Sequence, residues 1–172
     1  MEEQLDELVS QLKRSWTEQR LVTELRHGVP TVQDFAPLYD TVTRSRLTLK
    51  QLGSSQYSTE MKAQLLEWHS TVGSAEEALD VFKSAQGMFL RLDLALGSMV
   101  VEEELGATHA HFKVLRGKVE RAFDSLAGKA SLMDACGDAE LVGQMRDLSL
   151  GLEEAATAVK TVLYAMRSSS PR

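Results

Sequence analysis

The stretch from Ser58 to Leu96, STEMKAQLLEWHSTVGSAEEALDVFKSAQGMFLRLDLAL, decides the fold of this chain. Apolar residues recur in it at alternating steps of four and three, a spacing that puts an apolar stripe along one side of an α-helix. Such a helix would be about 55–60 Å long, and it cannot bury its stripe against itself. We therefore expect other helices to lie along it. The series is Met61, Leu65, Trp68, Val72, Ala75, Leu79, Phe82, Gln86, Phe89, Asp93 and Leu96.

A second unbroken series near the end of the chain predicts another long helix. Asp138 is the expected N-cap of this helix, which ends before the Ser168–Pro171 segment. We find no strand pattern in the chain. The sequence therefore predicts an all-α fold, an elongated helical bundle with one long central helix against which the last helix packs. The second series is Leu141, Met145, Leu148, Leu152, Ala155, Val159, Val162 and Met166.

Two shorter helices are predicted before the long one. Residues 2–27 form the first, which Gly28 and Pro30 would end, and the second begins at Asp34 as N-cap and ends at Gly53. The phase of the stripe is kept across Gly73, which favours a continuous long helix at a cost of about 1 kcal/mol relative to alanine. We expect residues 1–53 to form an N-terminal helical hairpin and 54–172 a larger bundle, the two making one continuous elongated unit.

The connection after the long helix is predicted to be broken. Residues 99–105 would form one or two helical turns that end at Gly106, and Thr108 would cap a separate helix that ends at Gly128. Residues 129–137 are expected to be a loop with at most a single turn.

The composition of the chain narrows the classes of function. The 172 residues carry a formal net charge of −6, which disfavours nucleic acid as a partner because phosphate binding needs clustered Lys and Arg. The single cysteine, Cys136, cannot form an internal disulfide. The N-terminus lacks a secretory signal pattern, and no run approaches the roughly 18 apolar residues of a membrane span. We expect a soluble, intracellular protein that has no membrane partner.

We find no motif that indicates catalysis, a cofactor or a metal. His109 and His111 lie two apart and so on different helix faces, which favours exposed histidines over metal ligands. Cys136 is expected to be a plain thiol, and Glu102–Glu104 a solvated acidic turn, with a cation or partner patch as the alternative. Both tryptophans are expected to serve the core rather than a binding surface. The predicted structural core is Trp68, Leu79, Phe82, Phe89, Leu92, Phe112, Leu148, Leu152 and Val159.

The segment Gln86–Leu96, QGMFLRLDLAL, resembles a landmark of dynein heavy chains. The family pattern there is Q-x-x-W-x-x-L-E-x-I-F, at the end of a long helix in the N-terminal part of the linker. Gln86 and Leu92 match, whereas Phe89 replaces the tryptophan and Asp93 the glutamate. Downstream, the family has an acidic insertion and then a helix whose register fits Phe112, Leu115, Val119, Ala122 and Phe123.

The C-terminal helix resembles a second landmark of the same family, L-x-x-[IV]-x-x-x-L-x-x-[YF]-L-x-x-x-R-x-x-F-P-R. The resemblance covers residues 55–172 well and 1–54 loosely. Ser170 stands where the family has phenylalanine, and a lysine usual in this helix is replaced at or near Thr157. The residues in step with the pattern are Leu152, Ala155, Val159, Val162, Leu163, Arg167, Pro171 and Arg172.

The resemblance implies a non-catalytic, force-transmitting segment. In dyneins the linker is a helical arm over the ring of AAA+ modules, and it bends and straightens during the ATP cycle. Residues 54–172 would be a linker-type bundle without cofactors, joined to the downstream linker and AAA+ ring of a dynein-like heavy chain. Intermediate and light chains would be further partners. The setting would be the cytoplasm and cytoskeleton, or the axoneme of a cilium or flagellum.

One alternative is a free-standing helical adaptor or a spectrin-like interaction module. A spectrin array would show a repeat of roughly 106 residues, and no such repeat is visible in the chain. An enzyme is a more distant alternative, because no convergent polar constellation can be named. Walker motifs in a longer reading frame would favour the dynein interpretation over both.

Overall fold

The computed structural model describes residues 2–54, 59, 61–97 and 102–169. Within them the chain forms six helices and one two-stranded antiparallel sheet. The elements are α1 (Glu2–Glu18), β1 (Thr23–Arg26), β2 (Val29–Val32), α2 (Ala36–Gly53), α3 (Lys62–Gly97), α4 (Glu102–Ala127), α5 (Leu132–Gly137) and α6 (Ala139–Ser169). The predicted helical bundle with one long central helix is confirmed.

The long helix α3 is the centre of the packing. Its 36 residues give a rod of about 54 Å, and it is continuous through Gly73, where an added Cβ would meet no atom within 4 Å. Helices α2 and α6 pack along it, and α6 also packs on α4. The apolar stripe of α3 is thus buried by neighbouring helices, as its periodicity predicts. The position of Ser58 lies outside the described residues.

The predicted end of the first helix, at residue 27, is wrong. Helix α1 stops at Glu18, and the segment 23–32 is a β-hairpin. His27 and Gly28 form its two-residue turn, with φ angles of +54° and +78°, which is the left-handed geometry that a tight hairpin needs. Gly28 and Pro30 therefore belong to the hairpin and do not end a helix. Residues 2–53 form helix, hairpin and helix rather than the simple helical hairpin predicted for 1–53.

Several helix ends lie where the sequence predicts them, and others do not. Asp138 caps α6, since its Oδ1 accepts from the Leu141 N–H at 3.0 Å. Asp34 is not the N-cap of α2, because Phe35 holds that position, although the Asp34 carboxylate accepts from the Ala36 N–H. Gly53 ends α2 and Gly128 directly follows α4, as predicted.

The predicted break before α4 is also wrong within the described residues. Helix α4 runs without interruption from Glu102 to Ala127, so neither Gly106 nor a cap at Thr108 divides it. Glu102–Glu104 form its first turn. The expected single turn after α4 is the short helix α5, for which Ser131 provides the N-cap by accepting from the Asp134 N–H at 3.2 Å. Residues 99–101 of the predicted turn lie outside the described residues.

The core is a single cluster that joins the six described helices and strand β2. Of the nine residues that the sequence assigns to it, eight are buried. Trp68 is only half-buried and packs against the cluster from its edge, which corrects the expectation that it is fully covered. The other indole, Trp16, is fully buried and donates from Nε1 to Ser45 Oγ at 2.8 Å. Its ring centroid lies 6.3 Å from that of Trp68, and this contact joins α1 to α3.

Candidate functional site: the hairpin junction

The landmark segment of α3 meets the β-hairpin and α4 at one place, which we call the hairpin junction. It comprises Val32 and His27 of the hairpin region, Gln86 and Asp93 of α3, and Arg116 of α4. The sequence places these residues up to 89 positions apart. Their contacts show why two polar side chains interrupt the apolar stripe of α3.

Gln86 holds strand β2. Its side-chain Oε1 accepts from the Val32 N–H at 2.8 Å, and its Nε2 donates to the Val32 carbonyl at 3.0 Å. The amide of Gln86 therefore substitutes for a neighbouring strand. Gln86 is 7% exposed and Val32 is 1% exposed, so water has little access to these groups and the pairing satisfies polar atoms that would otherwise be costly to bury.

Asp93 holds the turn of the hairpin. One carboxylate oxygen lies 2.8 Å from His27 Nδ1, and the other pairs with the Arg116 guanidinium. Arg116 also donates to the His27 carbonyl and pairs with Glu120 at 3.3 Å. These contacts fix a residue whose positive φ is unfavourable for a side chain with a Cβ. Asp93 thus joins α3, α4 and the turn by charge-assisted hydrogen bonds.

Phe89 forms the apolar floor of the junction. Its ring is fully buried and stacks on Phe112 of α4, with centroids 6.1 Å apart and an angle of 15° between the planes. The Arg116 guanidinium lies over the same ring at 5.6 Å from the centroid, a cation–π geometry. Phe89 therefore connects α3 to α4 at the position where the family pattern has tryptophan.

Two further polar contacts connect α3 to α2. Tyr39 donates to Asp80 Oδ1 at 2.6 Å, and Arg46 lies 2.5 Å from Glu76 Oε2. Burial, followed by the hydrogen bond to Asp80, raises the pKa of Tyr39 above its ordinary value. The contacts extend the bracing of α3 from Asp93 back to Glu76. A stretch of about five helical turns is therefore joined to α2, β2, the turn and α4.

The histidines and the cysteine singled out in the sequence lie elsewhere. His111 is exposed, while His109 is half-buried, and its Nε2 has no hydrogen-bond partner among the described residues. The Cys136 thiol faces the Ala75 carbonyl at 3.8 Å, and burial raises its pKa to about 12. A thiol with that pKa is neutral near pH 7 and a poor nucleophile. In the part of the chain that the structure describes, no cluster of three or more His, Cys, Asp or Glu could hold a metal ion.

Two clefts of the described structure are lined by both apolar and polar side chains. One of about 460 Å³ lies between α4 and α6, with Leu115 and Leu148 among its lining residues beside Lys118, Arg121 and Asp147. Another of about 550 Å³ lies beside Trp16. No described helix is long and apolar enough to cross a membrane.

Sequence reasoning missed the hairpin and with it half of the junction. His27 and Arg116 were not singled out, because neither stands in a motif. A signal for the hairpin was present: β-branched residues at Val22, Thr23, Val29, Thr31 and Val32 flank the central pair His27-Gly28, and strands joined by a two-residue turn look like this. Gly28 and Pro30 equally fit the end of a helix, and this second interpretation masks the hairpin signal.

Fold and junction together define a class of protein: a helical bundle in which polar side chains join one long helix to a hairpin and to neighbouring helices. The family follows from comparison with known sequences. A family model described as dynein heavy chain, N-terminal region 2, matches residues 1–172. The chain belongs to this family, and the predicted resemblance to dynein heavy chains is confirmed. The family describes an N-terminal region of the heavy chain rather than its AAA+ ATPase modules. No individual curated protein matches the chain.

Proposed function

We propose that this chain is a non-catalytic, force-transmitting linker or tail segment of a dynein-like heavy chain that acts in microtubule-based movement. The observation that carries the proposal is the bracing of α3 by the hairpin junction. A segment that transmits force must resist bending and shear between its elements. Burial along the whole rod and polar contacts at four of its positions, Glu76, Asp80, Gln86 and Asp93, supply that resistance.

The residues of the family landmark support this role directly. Gln86, Phe89 and Asp93 each contact a different partner: strand β2, helix α4 and the hairpin turn. A landmark with a catalytic role would be expected to line a cleft together with other reactive groups. These side chains instead connect elements distant in sequence. We infer that the motif serves mechanical connection.

The domain organisation that fits this role is one continuous unit of residues 1–53 and 54–172. Trp16 of α1 lies against Trp68 of α3, and the contacts of Tyr39 and Arg46 cross the same boundary. The proposed partners are the downstream linker and AAA+ ring of the heavy chain, together with intermediate and light chains. The proposed location is the cytoplasm and cytoskeleton, including an axoneme.

A motility measurement tests the proposal in a heavy chain that contains this segment. Asp93→Ala removes the carboxylate that joins the hairpin turn, α3 and α4 without altering any nucleotide site. We expect slower microtubule gliding while ATP turnover without microtubules stays unchanged, because the arm transmits less of each conformational change. Glu67→Ala is the matched control, since Glu67 is an exposed carboxylate on the same helix. Equal gliding velocities for the two variants would refute the role of the junction.

Nucleotide binding gives an independent check on the non-catalytic assignment. The 172-residue chain by itself should neither bind nor hydrolyse ATP, because it has no phosphate-binding loop. Calorimetry with magnesium and ATP measures this directly. Stoichiometric binding would contradict a purely mechanical role. The alternative of a free-standing adaptor predicts the same result here, but it predicts no effect of Asp93→Ala on gliding.

A further inference from the structure

The two edges of the β-hairpin differ in how their backbone groups are satisfied. On the outer edge of β2, Pro30 has no N–H to offer, and both polar groups of Val32 are bonded to Gln86. This edge is closed to further strands. Natural sheets commonly protect their edges by such devices.

The outer edge of β1 has no comparable protection within the described residues. Val22 accepts from the Gln33 N–H at 2.8 Å, and the Glu24 carbonyl accepts from Thr31 Oγ1 at 3.1 Å. Residues 22, 24 and 26 therefore direct their backbone groups towards β2. Because this direction alternates along a strand, the N–H and C=O of Thr23 and Leu25 point away from it. Leu25 is 75% exposed and Val22 is 59% exposed.

We propose that β1 pairs, antiparallel, with β1 of a second copy of this chain. An antiparallel strand centred on Leu25 places Leu25 opposite its counterpart, and the two residues exchange N–H···O=C bonds. The same register puts Glu24 opposite Arg26 of the other copy, and Arg26 opposite the other Glu24. The pairing would thus contain two backbone hydrogen bonds, two ion pairs and an apolar contact.

Charge complementarity is what selects a second copy as the partner. An antiparallel strand that suits this edge needs an acid opposite Arg26, an apolar residue opposite Leu25 and a base opposite Glu24. Read from its own N-terminus, that partner is acid, apolar, base, which is the sequence Glu24-Leu25-Arg26 itself. Opposite charges on facing strand positions are favourable and like charges are not. The edge is therefore self-complementary.

A pair of four-residue strands is weak by itself. The contact would act where two copies are already held near each other, since a high effective concentration converts weak pairing into a stable one. The inference does not depend on the force-transmitting role. It concerns a surface on the far side of the hairpin from Gln86.

The test is sedimentation of the full 172-residue chain over a wide concentration range. We expect the average mass to rise above 19.0 kDa as the concentration increases. Glu24→Arg alone, or Arg26→Glu alone, sets like charges opposite each other at both pairs and should weaken association about tenfold or more. An equimolar mixture of these two variants regains both ion pairs and should associate as well as the parent chain. Far-ultraviolet circular dichroism confirms that each variant is folded.

Leu25→Pro supplies a second, backbone-directed variant. It removes the outward N–H of Leu25 but none of the bonds to β2, so it should abolish association while the hairpin remains. A parent chain that stays at 19.0 kDa throughout would overturn the proposal. So would association that survives all three variants, which would run through another face such as that of Val114 and Leu150. The proposal would also be overturned if the parent chain stays monomeric and instead binds an extended peptide whose charges differ from those of Glu24-Leu25-Arg26. The edge of β1 would then have another partner.

Discussion

Replacing Gln86 by alanine should cost about 2–4 kcal/mol of unfolding free energy. The variant removes both side-chain partners of Val32 and leaves its N–H and C=O at a position that is 1% exposed. A typical hydrogen bond contributes about 1 kcal/mol to the free energy of unfolding, and a buried donor or acceptor left without a partner lowers it by about 1–3 kcal/mol. For a domain of this size that loss corresponds to a fall in Tm of about 5–15 °C.

The assay is denaturant unfolding followed by circular dichroism, with Gln64→Ala as the matched control. Gln64 is an exposed glutamine on the same helix, so its removal should change the unfolding free energy by less than about 0.5 kcal/mol. Equal losses for the two variants would show that helix propensity, and not the pairing with Val32, explains the effect. A loss below about 0.5 kcal/mol for Gln86→Ala would refute the reasoning itself.

Gln86→Glu separates hydrogen bonding from packing. A carboxylate can accept from the Val32 N–H but repels its carbonyl, whereas the protonated acid can both accept and donate. Burial and this repulsion raise the pKa of the new carboxyl in the folded state. Its protonated form is therefore favoured by folding, and the variant should be most stable below the unfolded pKa of about 4.3. Stability is lost as the pH rises through the folded pKa.

Three other predictions concern residues outside that pairing. Phe89→Ala should lower the free energy of unfolding by about 3–5 kcal/mol in denaturant melts, because it leaves a cavity beneath Arg116. A loss of less than about 1 kcal/mol would mean that the site collapses or is exposed. Cys136, with a pKa raised by burial to about 12, should react with iodoacetamide near pH 8 far more slowly than the same thiol in denaturant, and equal rates would contradict its burial. A hydrogen bond from Lys129 and then the Leu141 N–H lower the pKa of Asp138; its stabilisation of α6 should be present above the unfolded value of about 3.9 and lost as the pH falls through the folded pKa. In the Asp138→Ala variant, the free energy of unfolding should no longer show this loss at acid pH. If its dependence on pH is the same as in the parent chain, Asp138 is not the cause of the loss.

The long helices could be predicted because their information is local. A stripe repeated over ten or more turns fixes α3, and a second fixes α6, whatever lies between them. Asp138 marked the start of α6 because an N-cap bonds within its own turn. The failure at Gly106 has a non-local origin. One glycine costs about 1 kcal/mol in a helix, and the packing of α4 on α6 and β2 outweighs that cost.

The hairpin junction could not be derived because its information is not local. Strands of four residues are too short for a period to stand out. Gln86 looked like an interruption of an apolar stripe, and its reason is a backbone 54 positions earlier. Asp93 likewise finds its partners in a turn and in another helix. A single sequence specifies that these residues are polar but not which groups they meet.

The two indoles give the molecule a built-in optical sensor. The chain contains two tryptophans, 52 positions apart in sequence, and their ring centroids lie 6.3 Å apart at a tilt of 56°. At that separation their excited states couple, and the coupling adds a paired positive and negative band to the circular dichroism spectrum. Detachment of α1 from α3 would erase the pair of bands and shift the emission of the buried indole to the red. Docking of the N-terminal helix could therefore be followed in real time without attaching a dye.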